Sequence, residues 1–561
     1  MTARETWEFI QASVTGQFKA ITIPDAPERA VPSDGFLGLI QNFRYDIVSG
    51  FIVFLIALPL SLGIAMASGL PPVAGLVSAA IGGVVVSQLS GSFVTINGPA
   101  AGLIVVVISA CEALGGGSRG YHSTLSAIVV SGFILFLLGR MRSAEIGKYF
   151  PATVVHAMLA SIGIVIIIKQ LPTFLGSQIK IREPLEIFHQ LPHLLADLNP
   201  FILLVSLVSL IILIIHPHIR FAPLKAIPAP LWVVLTASLM TAFLTDTKTY
   251  ELLGHTFRLV PDKLLVRVPS DLSHCFAFPD FSAIRMPRFW LCVLSISFVQ
   301  SVETVLSCAA VDKLDPFKRK ANLSKDLCAV GLGSMVSAGL GGLPIIAEIV
   351  RSTANIASGA RTRFSNFYHG LFLCLFVALA SALLNKIPLA ALAALLIFTG
   401  FRLASPKVFK ETHSIGYEQT VIFVSTIFVT LATDLLIGVF SGIALKLLLH
   451  LFRGVKPSEL FKATAYLEDG AEGDHYLHMD GAIVFSNYFC IKNLLDQIKT
   501  GGQVFIDFSA TTFIDHTVME HLAEFRQDYE HEGGKVCFVA LEKLSSVSDH
   551  PQGSRRLERK R

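Results

Sequence analysis

The sequence predicts a polytopic α-helical membrane protein, laid out as two inverted seven-segment repeats and followed by a small soluble α/β domain. Three observations carry that prediction. Of 561 residues, 53% are hydrophobic and only 15% charged, too apolar for a globular enzyme of this length. Between Asp46 and Glu112 stand 65 residues without one Asp, Glu, Lys, Arg or His. A helix crosses the ~30 Å hydrocarbon core in roughly 20 residues, so that stretch holds about three crossings. Finally, two matched glycine/proline breaks, TINGPAAGLIVVV (Thr95 to Val107) and GGLPIIAEIVRS (Gly341 to Ser352), lie deep inside apolar sequence.

Residues 1–44 read as a cytosolic N-terminal segment, with no cleaved signal peptide apparent in MTARETWEFI. The transporter-like block is expected over 45–452. Its first half, about 45–245, has apolar runs near 47–67, 73–90, 99–111, 123–138, 152–168, 200–216 and 228–245. A mixed segment, 246–288, leads into the second half, about 289–452, with runs near 289–310, 327–341, 344–357, 366–385, 388–401, 417–433 and 434–452. An odd number of spans per repeat forces opposite orientations, the inverted-repeat design. Arg140, Arg142 and Lys148, Arg220 and Lys225, Lys313 to Lys325, Arg361 and Arg363, and Arg402 to Lys410 cluster in alternate short connections. These connections, and both termini, are therefore expected in the cytoplasm, and the protein in the inner (plasma) membrane.

After Arg453 the composition turns soluble. Strands are expected at 463–469, 476–485, 503–509 and 535–541, with helices at about 488–499 and 516–531, a small sheet covered by helices. Residues 542–561 read as a solvated basic tail, with RRLERKR within reach of anionic lipid headgroups. No CxxC pair occurs; Cys275, in a predicted external loop, is expected as a free thiol. A net charge of +4 gives no reason to invoke nucleic acid. No HExxH motif or His/Cys ligand cluster points to an enzyme or a cofactor.

The breaks carry the functional expectation. Proline denies the backbone an N–H and glycine weakens the helix, so each string should start a short helix at depth. The amino end of a half-helix offers unpaired amides and partial positive charge to an anion. Two such ends at equivalent places in two halves are the sequence signature of a midplane transport site. Gly98, Pro99, Ala100 and Ala101 at the first break, with Ile346, Ala347, Glu348 and Arg351 at the second, are the candidate anion-binding residues. Taken alone, GPAAG is more often a packing device of small residues; the second break tips the balance.

These strings resemble the SulP family of anion permeases, bacterial relatives of animal sulfate, chloride and bicarbonate exchangers. The motifs are LPLSLGIAMASGLPPVAGL (Leu58 to Leu76), NGPAAG (Asn97 to Gly102), SVETVLSCAAVD (Ser301 to Asp312) and GGLPIIAEIVRSTANIASGARTR (Gly341 to Arg363). VFIDFSATTFIDHTVMEHL (Val504 to Leu522) resembles the STAS domain that family members carry. The resemblance implies fourteen segments divided into a core and a gate, facing half-helices in the third and tenth segments, homodimers, and an elevator-like movement. It makes the expected function secondary transport of a small inorganic anion, bicarbonate or sulfate, coupled to sodium or protons. A dicarboxylate transporter and a non-transporting, membrane-anchored STAS scaffold are the alternatives.

Ser61 and Ser78 are candidate hydroxyl donors to the anion; a serine equally satisfies itself on its own helix. Leu60 stands where many relatives have glutamine. Glu303, in the otherwise uncharged FVQSVETVLSC, costs at least ~2.5 kcal/mol at a helix centre. Gln300, Glu303 and Ser307 share one helical face, and the resemblance implies a coupling site there, with Glu303 and Ser307 as a possible sodium pair. Glu348 departs from the family pattern, and a fixed negative charge there repels an anion; two readings stand, a protonated coupling group or a partner of Arg351. Arg351 matches a basic family position, and its bland reading is an anchor at the helix end. His156 reads as a packing residue. In the STAS-like segment His516 and Thr517 follow Asp515 where signalling relatives carry a phosphorylatable serine, so an interaction or assembly module that binds cytosolic proteins is expected.

Overall fold

The computed structural model describes residues 31–33, 35–142, 150–179, 181, 183–219, 221, 224, 227–245, 249–252, 255–258, 265–268, 276–470, 473–498 and 501–557. Cys275, Lys148, Arg220, Lys225, the first 30 residues and the last four lie outside the described residues.

The apolar runs become helices in the expected order. The first half contains α1 (Gly35–Ala67), α2 (Pro72–Leu89), strand β1 (Ile96–Gly98) with half-helix α3 (Ala101–Ala113), α4 (Gly117–Arg140), α5 (Ala152–Leu175), α6 (Pro200–Ile215) and α7 (Ala229–Thr245). A small hairpin, β2 (Thr249–Leu252) and β3 (His255–Arg258), follows. The second half contains α8 (Pro287–Leu314), α9 (Leu323–Gly339), strand β4 (Ile346–Glu348) with half-helix α10 (Ile349–Ala357), α11 (Phe364–Leu384), α12 (Leu389–Leu403), α13 (Tyr417–Ala432) and α14 (Leu435–Phe452). Among the described residues, eight helices are long and apolar enough to cross a membrane unaided. The split of the last apolar stretch has a local cause: Asp434 caps α14, accepting from the Ile437 amide at 2.9 Å.

The first helix begins at Gly35, ten residues before the end of the 1–44 segment, and its buried Asp46 is satisfied by the other half of the chain. The Asp46 carboxylate accepts from the amides of Arg361 (2.8 Å) and Thr362 (3.1 Å) and from the Thr362 hydroxyl (2.5 Å). Two amphipathic connectors, Ile187–Ala196 and Pro406–Ile415, join the described helices as well.

The duplicated design shows in the packing. α4 crosses α9 where Gly132 meets Gly331: a Cβ on Gly132 would stand 2.6 Å from the Gly331 carbonyl oxygen, and one on Gly331 2.5 Å from that of Gly132. α2 crosses α11 where Gly83 meets Gly370, with a Cβ on Gly370 2.7 Å from the Gly83 Cα. Exchanging the two halves maps the fourth segment on the eleventh and the ninth on the second, so these are equivalent crossings. Small residues let membrane helices approach to backbone contact.

Two compact units divide the chain, Met1–Gly147 with Ile162–Leu403, and Lys148–Ser161 with Ala404–Arg561. The second contains the C-terminal sheet, with β5 (Thr464–Asp469), β6 (His475–Ile483), β7 (Gln503–Ile514), β8 (Lys535–Val539), β9 (Leu544–Ser546) and β10 (Arg555–Leu557). β6 and β8 flank β7 in parallel, β5 extends β6 antiparallel, and β10 joins the end of β7 to β9. Helices α15 (Tyr488–Leu495) and α16 (His516–His531) pack on it through a core that includes Leu477, Ile491, Ile506, Phe508, Val518 and Leu522. The sheet therefore continues past Leu541: residues 544–557, expected in a solvated tail, supply two more strands.

Candidate functional site

The two breaks meet. β1 and β4 form a two-stranded antiparallel ladder in which Ile96 pairs with Glu348, Asn97 with Ala347 and Gly98 with Ile346. α3 starts three residues beyond Gly98 and α10 immediately beyond Glu348. The two amino ends thus flank one short ladder whose ends lie roughly 7 Å apart, two residue rises. Ile346, Ala347 and Ala100 are buried. Their small or apolar side chains leave the backbone as the polar surface on offer.

Arg351 ties the breaks together. It is fully buried, its Nε stands 3.0 Å from Glu348 Oε2, and its Nη2 donates to the Pro99 carbonyl at 3.2 Å. Its Nη1 has no hydrogen-bond partner among the described residues and lies where a Cβ on Gly98 would be, 2.8 Å away. Four residues on, a Cβ at Gly102 would collide with the Glu303 carboxylate. Glu303 is buried, and its Oε1 too has no partner among the described residues. The five residues Gly98 to Gly102 thus carry an unsatisfied guanidinium nitrogen at one end and an unsatisfied carboxylate oxygen at the other. Glu348 offsets the charge of Arg351, so its free Nη1 is a spare donor for an anion, whereas Glu303 is a buried carboxylate without a partner, a cost of several kcal/mol that a cation or a proton would relieve. Ser307, one turn beyond Glu303 on α8, is also buried.

The other expected residues have different surroundings. The Ser78 hydroxyl is taken up by scaffold: it accepts from the Leu343 amide at 2.5 Å and contacts the carbonyls of Ala74 (2.8 Å) and Leu343 (3.0 Å). It fixes the approach to β4 and has no hydrogen bond left for a ligand. Gln300 is committed as well. Its Nε2 donates to Ser334 Oγ (2.5 Å) and the Ile345 carbonyl (2.7 Å), and its Oε1 accepts from Ser131 (3.3 Å). Ser61 is fully buried, its hydroxyl has no partner among the described residues, and its carbonyl packs on Gly75, one turn from Ser78 on α2. His156 is exposed.

Several residues of the site escaped sequence reasoning. Ser352 accepts from the Ile96 amide at 2.8 Å, and Asn355 Nδ2 donates to the Val94 carbonyl at 2.8 Å, so α10 grips the strand of the opposite half. Asn366 Nδ2 donates to Asn97 Oδ1 at 3.1 Å, and His369 Nδ1 stands 3.4 Å from Asn366 Oδ1. Polar residues at 351, 352 and 355 on one face of an otherwise apolar segment were the available signal. A cavity of about 1020 Å³ opens at the far end of α3, lined by Ser68, Cys111, Glu112, Lys169, Thr173 and Thr241 among others.

The profile of the sulfate permease family matches residues 43–426, and that of the STAS domain residues 469–543. YvdB of Bacillus subtilis, provisionally named a sulfate transporter, is 23% identical over 523 residues, 92% of this chain and 94% of its own. The bicarbonate transporter BicA of a Picosynechococcus species is 26% identical over 412 residues, 72% of this chain and 69% of its own. Among solved structures, the transmembrane domain of a cyanobacterial BicA superposes with a TM-score of 0.60 at 23% identity, covering 71% of this chain and 97% of that one. SLC26A9 superposes with a TM-score of 0.62 at 15% identity, covering 89% and 84%. The match takes in both breaks, the whole ladder between them and most of the membrane helices, and with it this chain belongs to the sulfate permease family, with a STAS domain at its C-terminal end.

Proposed function

We propose that the protein is a secondary active transporter of a small inorganic anion, bicarbonate or sulfate, coupled to sodium or protons. The observation that carries this reading is the pair of unpartnered polar atoms beside the Gly98–Gly102 stretch, Arg351 Nη1 for the anion and Glu303 Oε1 for the coupling ion. The amino ends of α3 and α10 add amide donors. Glu348 guards the guanidinium at 3.0 Å, so an anion gains most from Arg351 when Glu348 is protonated. Sodium, where it is the coupling ion, is cargo held by Glu303 and Ser307. The named relatives, a bicarbonate transporter and a sulfate transporter, support both anions as substrates. The basic connections support cytoplasmic termini in a plasma membrane. The family likeness supports a homodimer that moves its core as an elevator, with the cavity beside α3 as the anion's vestibule. Proteoliposomes given labelled bicarbonate or sulfate under sodium or proton gradients test it. Accumulation driven by one gradient and abolished by Glu303→Ala is expected; no gradient-driven uptake of either anion refutes it.

A further inference from the structure

The last membrane helix, α14, reads LLIGVFSGIALKLLLHLF and contains a single lysine, Lys446, which is fully buried. A lysine in such a helix needs partners, and it finds them in the soluble domain. Its Nζ donates to the Thr517 hydroxyl at 2.8 Å and stands 3.2 Å from Asp515 Oδ2, above the Phe485 ring at 4.9 Å from the ring centre. Asp515 is wholly buried too and caps α16, accepting from the amides of Val518 (2.8 Å) and Phe485 (2.9 Å). The other charged and titratable groups around the pair are accounted for. His450 Nε2 lies 3.9 Å from the same Asp515 oxygen, Arg453 pairs with Glu418 at 2.8 Å, and His516 faces Glu520 at 4.0 Å. Leu447 packs with Val455, Leu460, Ala482, Val484 and Phe513. All of these residues belong to one compact unit.

We propose that the end of α14 is the resident partner of the STAS domain's cap loop: Lys446 holds Asp515 and Thr517, so that this loop is closed to soluble partners and to modification. Thr517 is 1% exposed, and its hydroxyl already accepts a hydrogen bond from Lys446. A phosphoryl group on it would set negative charge against the buried Asp515 carboxylate. The STAS domain is then a strut clamped to the membrane helix rather than a messenger, whatever the membrane domain carries.

Hydrogen exchange on the full-length protein in lipid nanodiscs tests this, read on peptides spanning 513–522. Lys446→Met keeps α14 apolar and leaves the Asp515 cap bonds intact. It should speed exchange there at least ~10-fold, because a buried carboxylate loses its partner. Unchanged exchange in folded K446M overturns the proposal. Should K446M alone fail to accumulate, K446M/D515N is read for folded yield, since Asn still caps a helix and no stranded charge remains. Recovery by the double variant supports the joint, and no recovery overturns it.

Discussion

The Glu303 carboxylate rests on the α-carbon of Gly102, so closely that no side chain fits between them. Glycine here is a steric condition for the carboxylate to reach the amino end of α3. Gly102→Ala should therefore push Glu303 aside while the helices still assemble, at an overpacking cost of about 1–3 kcal/mol. Gradient-driven uptake in proteoliposomes should fall at least ~10-fold, an effect of a misplaced group. Normal uptake with unchanged ion dependence in G102A would show that Glu303 does no work in coupling.

Glu348 and Arg351 form the other decisive pair, at 3.0 Å. Glu348→Gln removes the negative charge and leaves the shape. The expected result is tighter anion binding together with flattened dependence of uptake on external pH, because the charge that repels the anion no longer titrates. Arg351→Gln should do the opposite and abolish uptake, since it also strands the Glu348 carboxylate. Isothermal or fluorescence binding assays alongside uptake separate affinity from rate. If E348Q keeps wild-type rate and pH profile, proton coupling through this residue is excluded.

Much of this architecture was legible because hydrocarbon imposes it. Runs of apolar residues marked the helices, and Pro99 and Pro344 with their glycines marked the half-helices. What the sequence concealed has partners far away along the chain. Asp46 is satisfied 316 residues later by Thr362, a partner that nothing near it in the chain announces. The grip of Ser352 on Ile96 spans 256 residues, and Asn366 reaches Asn97 across 269; a polar face at 351, 352 and 355 hints at a partner, but nothing local says which. Ser78 and Gln300 show the converse. Their residue types suited a ligand, but the loop before β4 uses their hydrogen bonds first.

The paired glycine crossings yield a stability prediction. Gly83 on Gly370 and Gly132 on Gly331 bring backbone against backbone, and a methyl group has nowhere to go. Gly132→Val or Gly370→Val should lower the melting temperature markedly, by overpacking worth about 1–3 kcal/mol or more. Gly339, at the end of α9, where an added Cβ meets no atom within 4 Å, is the control site. Its helical backbone accepts a side chain without strain, so Gly339→Ala should be nearly silent. Size-exclusion profiles after heating distinguish the outcomes. Equal stability of the Gly370 variant and wild type would mean that the crossing is looser than the contact implies.

His516 makes the STAS domain sensitive to acid in a defined window. Burial pushes its pKa below the usual 6.5, against the raising effects of the Gln552 carbonyl and Glu520. The sign follows from proton counting. Below pH 6.5 the unfolded chain takes up a proton at this ring that the folded domain resists, so stability is full above 6.5 and falls as the solution acidifies, by up to roughly 1.4 kcal/mol per pH unit. Asp515 behaves differently. Burial works to raise its carboxyl, but Lys446, His450 and two amides more than offset that and hold it below 3.8. Its contribution is therefore present above pH 3.8 and is lost only as the pH falls through the still lower folded value. Protease resistance of residues 503–557 in the full-length protein should thus be flat from pH 8 to about 6.5 and decline as the pH falls below that. His516→Asn should lessen that decline, His450 beside Asp515 remaining, without changing resistance at pH 8 by more than the lost contact. A decline that begins only below pH 4 in the wild type would assign acid sensitivity to the carboxylates and remove His516 from the account.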